Sequence, residues 1–163
     1  MKPLENIQHY KIVLASNSPR RQELLSGLNL GYTIRVLPGI DESYPDYLKG
    51  EEIPMYISRK KADAYRNTMG EDELIITADT VVYIHGKVLG KPKSLEEAKE
   101  MLRELSGDTH QVITGVCLTT REIQRTFSAM TQVTFDTLTE DEIEFYVKTY
   151  QPLDKAGAYG VQE

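Results

Sequence analysis

Apolar and polar positions along this chain change period repeatedly, between strand-type runs and the three- and four-residue spacing of helices. KIVLA (11–15) is a short apolar strand, and the Ser18-Pro19 that follows has the chemistry of a helix N-cap and first helical position. The helix is predicted to reach about Leu28, with Leu24, Leu25 and Leu28 turned inward. YTIRVLP (32–38) has the pattern of a second strand, and the polar, turn-rich GIDESYPDYLKG (39–50) that of a loop. A helix starting near Pro54 carries Ile57, Lys61, Ala64 and Tyr65 at helical spacing.

LIITAD (74–79) has the pattern of a buried strand that ends at its aspartate, and VVYIHGKVL (81–89) allows a tight turn at His85-Gly86. Ser94 to Glu97 has the form of a capping box, opening a helix that runs to about Leu105 and stops at Gly107. HQVITGVCLTT (110–120) and TFSAMTQVTFDTL (126–138) alternate well enough to form a long antiparallel pair around REIQ. Thr139 to Glu142 is a second capping box, ahead of the helix EIEFYVKTY (142–150). No repeat, low-complexity tract or linker interrupts the pattern. One mixed α/β domain over 1–163 is expected, and the glycine-rich close QPLDKAGAYGVQE points to a missing C-terminal piece.

Composition narrows the function classes. With 40% hydrophobic and 27% charged residues the balance is that of a soluble globular protein. No apolar run approaches the roughly 20 residues of a membrane span, and MKPLENIQHYK lacks the apolar stretch of a secretory signal, so the cytoplasm is the expected location. A net charge of −6 and a pI near 5.2 argue against a nucleic-acid or anionic-membrane surface. Any bound anion must therefore be gripped by a local group of cations. The lone Cys117, inside VITGVCL, is best explained as a buried small hydrophobe, and the three histidines follow no zinc spacing.

Three features carry candidate chemistry. Ser16-Asn17-Ser18-Pro19-Arg20-Arg21 places two arginines in a first helical turn, where the helix dipole disfavours cations. A bound phosphate would reverse that penalty, since free N–H groups, the Ser16 and Ser18 hydroxyls and the arginine forks would converge on it. Two solvated arginines on a capped helix explain the sequence as well. Asp79, closing LIITAD, is a carboxylate at the end of an apolar run, suited to a metal ion or an attacking water, or else to a turn. Lys61, Lys91 and Lys155 stand beside turn signals or on a helix, and Glu42 lies in the DES loop; each alone is an ordinary solvated charge. The ten tyrosines allow base stacking, though packing is the commoner use. Neither the Walker-type loop nor the dinucleotide fingerprint is present. These residues reach a phosphate-handling α/β domain with an acidic group, and no further.

The same segments resemble a known family. LASNSPRRQELL, the DES loop, ISRKKADAY, TADTVVYIHGKVLGKP, EEAKEMLRELSGDTHQVITGV and LDKAGAYGVQ are similar, in order and across nearly the whole chain, to the Maf (septum formation inhibitor) nucleotide pyrophosphatases. The resemblance implies a mixed α/β fold with a long twisted sheet, flanking helices and two lobes about a cleft. It further implies a homodimer and a divalent cation, Mg²⁺ or Mn²⁺. The implied reaction is hydrolysis of a nucleoside triphosphate to the monophosphate and pyrophosphate.

By the same resemblance, Ser16 and Arg20 would hold the phosphates with Arg21 beside them, and Glu42 and Asp79 would form the acidic, metal-holding pair. Asp79 would be the general base. Lys61 and Lys91 would neutralise triphosphate charge, and Gln162 would help read the base. The arginine pair, Asp79-Thr80 and DKAGAYGVQ resemble the dTTP- and UTP-preferring branch, which makes Arg21, Thr80 and Gln162 the specificity residues. Family members continue some tens of residues past the position of Glu163. A nucleotide-binding regulator of septum formation is the other function the family name allows, but a binder has no need of a water-activating carboxylate.

Overall fold

The computed structural model describes residues 9–160, which form a mixed sheet flanked by helices. The strands are β1 (Lys11–Leu14), β2 (Tyr32–Ile34), β3 (Glu73–Ile84), β4 (Lys87–Leu89), β5 (Thr109–Thr119) and β6 (Gln124–Thr134). Helices α1 (Pro19–Ser26), α2 (Glu52–Tyr65), α3 (Leu95–Leu105) and α4 (Glu140–Tyr150) connect or follow them. Among the described residues the strand order is β2-β1-β3-β5-β6, with β4 paired to β3. The chain divides into two compact units. Of the described residues, the first contains those up to Leu48, Glu52–Asp79 and Gly115–Ser128, and the second contains Lys49–Glu51, Thr80–Thr114 and those from Ala129.

In the first unit β1 runs parallel to both β2 and β3, with Leu14 level with Ile34 on one side and Ile76 on the other. A central parallel strand needs apolar residues on both faces, which is why KIVLA is a run and not an alternation. Ile12 and Leu14 pack with Leu25 of α1, while Val13 and Ile75 pack with Tyr65 at the end of α2 and with Met69 beyond it. Each such side chain contributes about 1.5–3 kcal/mol on burial. Helix α2 lies close against the sheet because β5 has a glycine opposite it. A Cβ at Gly115 would collide with the backbone of Pro54 and Met55. Gly115→Ala is expected to lower stability by about 1–3 kcal/mol through overpacking. Thermal melting against Gly31→Ala, where no atom lies within 4 Å of the added carbon, is the check, and equal melting points would refute the close-approach account.

The second unit buries Val82, Ile84 and Leu89 of the sheet against Ala98, Met101, Leu102 and Leu105 of α3 and Ile143 and Val147 of α4. Its β3–β4 hairpin turns at His85 and Gly86, whose φ values of 53° and 77° are those a two-residue hairpin requires. The β5–β6 pair is an antiparallel hairpin. The Thr120 N–H donates to Ile123 O near the turn, and Phe135 N–H donates to Asp108 O at the open end.

Several sequence expectations are corrected. Leu24 and Leu28 are 56% and 52% exposed, and α1 ends at Ser26, so only Leu25 of the three is buried. An eight-residue helix has room for one strongly buried position, and Gly27 caps it. The second strand is limited to Tyr32–Ile34. Asp79 does not end its strand: β3 continues through Thr80 to Ile84, because VVYI has strong strand propensity and pairs with β4. Ser94 caps α3 by accepting from Glu97 N–H, whereas the reciprocal capping box is complete at Thr139 and Glu142 of α4.

Candidate active site

The site residues of the first unit are brought together by the parallel strands. Beyond Leu14, Ala15 N–H still donates to Ile76 O at 3.0 Å, so the β1–β3 register carries Ser16 level with Ala78. The chain then turns into α1. Ser16 Oγ accepts from Ser18 N–H at 3.0 Å, and Ser18 Oγ accepts from Arg21 N–H at 3.3 Å, the N-cap its sequence forecast. Gln22 Nε2 donates to Ser16 O at 3.3 Å and holds the turn from the helix side.

The two arginines then part. Arg21 folds inward and its Nη1 donates to Ala78 O at 3.1 Å. Arg20 points outward, its side chain 58% exposed and 3.9 Å from Glu23. Burial pulls the Arg21 guanidinium below its ordinary pKa, while the carboxylates of Asp79 and Glu42 pull it back up.

Lys61 is the hub. Its Nζ lies 2.9 Å from Glu42 Oε1, 3.1 Å from Ala78 O and 3.5 Å from Asp79 Oδ1. An ammonium has three protons, so three acceptors match it fully. Two carboxylates drawn from a loop and a strand therefore face one cation, with a second cation, Arg21, on the same carbonyl. Asp79 and Lys61 are each only 16% exposed, and Glu42 is 49% exposed. Burial raises the Asp79 carboxyl above its ordinary value of 3.8, Lys61 opposes that rise, and the Glu42 carboxylate adds to it. A buried carboxyl beside a second carboxylate, shifted upward and partly compensated by cations, has the electrostatics of a catalytic base.

The DES loop reaches this position through Lys60, the neighbour of Lys61 on α2. Its Nζ donates to Asp41 Oδ2 at 3.1 Å and to Ser43 O at 3.2 Å, on either side of Glu42. Ser43 N–H donates to Asp41 Oδ1, closing the turn. These contacts and the loop's backbone bond hold the Asp41 carboxyl at about 2.

The structure therefore gathers Arg21, Glu42, Lys61 and Asp79, with Ser16 at the strand end beside them and Arg20 on the outer face of α1. Thr80 and Lys91 belong to the second unit. Thr80 shares a 2.9 Å hydroxyl–hydroxyl bond with Thr114, and Lys91 is exposed next to Gly90, whose carbonyl accepts from Gly157 N–H. Lys155 lies 3.5 Å from Asp154. Gln162 lies outside the described residues. Sequence reasoning missed Lys60 and the Ala78 carbonyl. A backbone oxygen leaves no trace in residue identity, and a second lysine beside Lys61 is indistinguishable from a solvated one.

The family model described as "Maf-like protein" matches residues 11–163. The chain belongs to the Maf family. Relatives from Phocaeicola vulgatus and Bacteroides thetaiotaomicron, each named dTTP/UTP pyrophosphatase, are 63% and 64% identical over 160 residues, covering 98% of this chain and 83% of their own length. A solved structure, that of the Staphylococcus aureus Ham1 protein, superposes with a TM-score of 0.52 at 17% identity, covering 75% of this chain and 70% of that one, and so shares the fold. For a Maf chain the gathered set matters, because Glu42, Lys61 and Asp79 come from three segments that the resemblance had matched separately. No helix among the described residues is long and apolar enough to cross a membrane.

Proposed function

We infer that this Maf protein hydrolyses dTTP and UTP to the nucleoside monophosphate and pyrophosphate. The relatives named for that activity support the substrate pair. The observation that carries the reaction class is the convergence of Glu42 and Asp79 on Lys61, with Asp79 buried and its carboxyl shifted upward. Asp79 takes a proton from water as the water oxygen bonds to the α-phosphorus. The bond from that phosphorus to the oxygen bridging to the β-phosphate breaks, and pyrophosphate leaves with the electron pair. Ser16 and the α1 N-terminus receive phosphate oxygens, with Arg20 and Arg21 on either side of the first turn. By the family resemblance, Lys91, Thr80 and Gln162 are further candidates for contact with the nucleotide.

A divalent metal, Mg²⁺ or Mn²⁺, fits the acidic pair. Among the described residues no group of three or more His, Cys, Asp or Glu gathers, and Mg²⁺ commonly takes one or two carboxylates plus substrate phosphates. Glu42 and Asp79 are the residues that would hold it. When bound it neutralises charge on the triphosphate and the leaving group. A homodimer is part of the same reading, and light scattering tests it.

Product analysis decides the function. With Mg²⁺ present, dTTP and UTP are expected to give monophosphate and pyrophosphate at least about tenfold faster than GTP or 7-methyl-GTP, as kcat/KM. Release of orthophosphate would overturn the bond assignment, and preference for 7-methyl-GTP would overturn the substrate assignment.

A further inference from the structure

We propose that Thr77 is a positioning residue of this site, setting through the Ser58 carbonyl how close α2 holds Lys61 to Asp79. The inference rests on the pyrophosphatase reading above. Thr77 Oγ1 donates to Ser58 O at 2.7 Å, and its 3.5 Å approach to Cys117 O touches the next strand of the sheet. Ser58 and Thr77 are 0% and 1% exposed, so no solvent molecule can take either partner's place.

Two periodicities make this contact bear on the site. Residues 58 and 61 are three apart on a helix, which places them on one face. Residues 77 and 79 are two apart on a strand, which places them on one face of the sheet. The Thr77–Ser58 bond therefore repeats, one step back along both elements, the Asp79–Lys61 contact. It is a buried polar tie between the two elements, one step before Asp79 and Lys61.

The hydroxyl is not there to rescue the helix. Inside α2 the Ser58 carbonyl already accepts from the N–H four residues on, and Ser58's own hydroxyl is satisfied by Met55 O at 2.9 Å. A buried valine would fill the Thr77 position without needing a partner. What threonine adds is a fixed spacing between β3 and α2. The backbone contact at Gly115 and Pro54 sets the approach at the start of the helix, and the Thr77 bond sets it one turn further on. A displacement of the helix here moves Lys61 relative to Glu42, Ala78 and Asp79 together.

The test compares the wild-type chain with Thr77→Val, Thr77→Ser and Ile143→Val, the last being a destabilising change in the second unit's core. Thr77→Val is expected to lower kcat for dTTP about tenfold with KM nearly unchanged, since misplacement acts on the chemical step. Thr77→Ser, which keeps the hydroxyl, should restore most of kcat, and Ile143→Val should lower the melting point without moving kcat. Independently of turnover, amide exchange over 52–65 should quicken in Thr77→Val and not in Thr77→Ser, while exchange over 95–105 stays as it was. Wild-type kcat in Thr77→Val, equal impairment in both Thr77 variants, or the same kcat loss in Ile143→Val would overturn the inference. If the wild-type chain released no pyrophosphate the reaction reading would fall, and unchanged exchange over 52–65 would then overturn the positioning role as well.

Discussion

Asp79→Asn is expected to lower dTTP turnover about a thousandfold, within the range for loss of a general base, while its melting point at pH 7 stays level or rises. The two effects have one cause. Burial raises the folded-state pKa of Asp79 above 3.8, even after Lys61 and Arg21 have drawn it down, so ionising this group in the folded protein is unfavourable. For a group raised on folding, the favourable contribution is complete below the unfolded pKa and is lost as pH rises through the folded value. The wild type loses it as pH rises above the unfolded value, and an asparagine, neutral at every pH, does not. The stability difference should therefore shrink as pH falls below about 4, where both side chains are uncharged. Near-normal turnover would remove Asp79 from the chemistry. A melting point several degrees lower at pH 7 would show that its attraction to the cations outweighs burial.

Lys61→Met should be the more damaging of the two changes to stability, and it should lower turnover as well. It leaves the carboxylates of Glu42 and Asp79 and the Ala78 carbonyl facing no ammonium. Breaking a fully buried pair costs about 3–5 kcal/mol, and the half-exposed Glu42 brings this down to about 2 kcal/mol at pH 7. Turnover should fall by about a hundredfold or more, because the carboxylates lose their common anchor. Denaturant titration of the double variant Lys61→Met/Asp79→Asn supplies the check. Removing the uncompensated carboxylate should return most of the lost stability while activity stays absent, and strictly additive losses would dissolve the pair as a unit.

Lys61→Arg is not a rescue. A planar fork cannot direct three protons at three acceptors gathered around one point.

Most of the fold was legible from local pattern. The apolar runs of β1 and β3, the caps at Ser18, Ser94 and Thr139, and the His85-Gly86 turn each depend on residues within a few positions of one another, where propensity and hydrogen-bonding chemistry are short-ranged. The lengths of α1 and β3 were not. Leu24 and Leu28 have the periodicity of an inward face, but exposure is decided by what lies opposite, and only Leu25 meets Ile12 and Leu14. Asp79 resembled a strand terminus because a charge usually ends an apolar run, and it stays inside β3 because Lys61 compensates it there.

The site divides in the same way. By itself the sequence singled out the candidate residues for phosphate chemistry, since a serine cap with paired arginines and an acid after an apolar run are local signatures that the Maf resemblance orders along the chain. Only the tertiary structure decided that Arg21 turns in while Arg20 turns out, that Lys60 holds the loop presenting Glu42, and that Ala78 offers one carbonyl to two cations. The reason is distance along the chain. Glu42, Lys61 and Asp79 are about twenty residues apart, and nothing in a charged residue's neighbours says which remote charge it will meet. That meeting is fixed by the close seat of α2 on the sheet at Gly115 and by the Lys60 contacts that hold the loop on either side of Glu42.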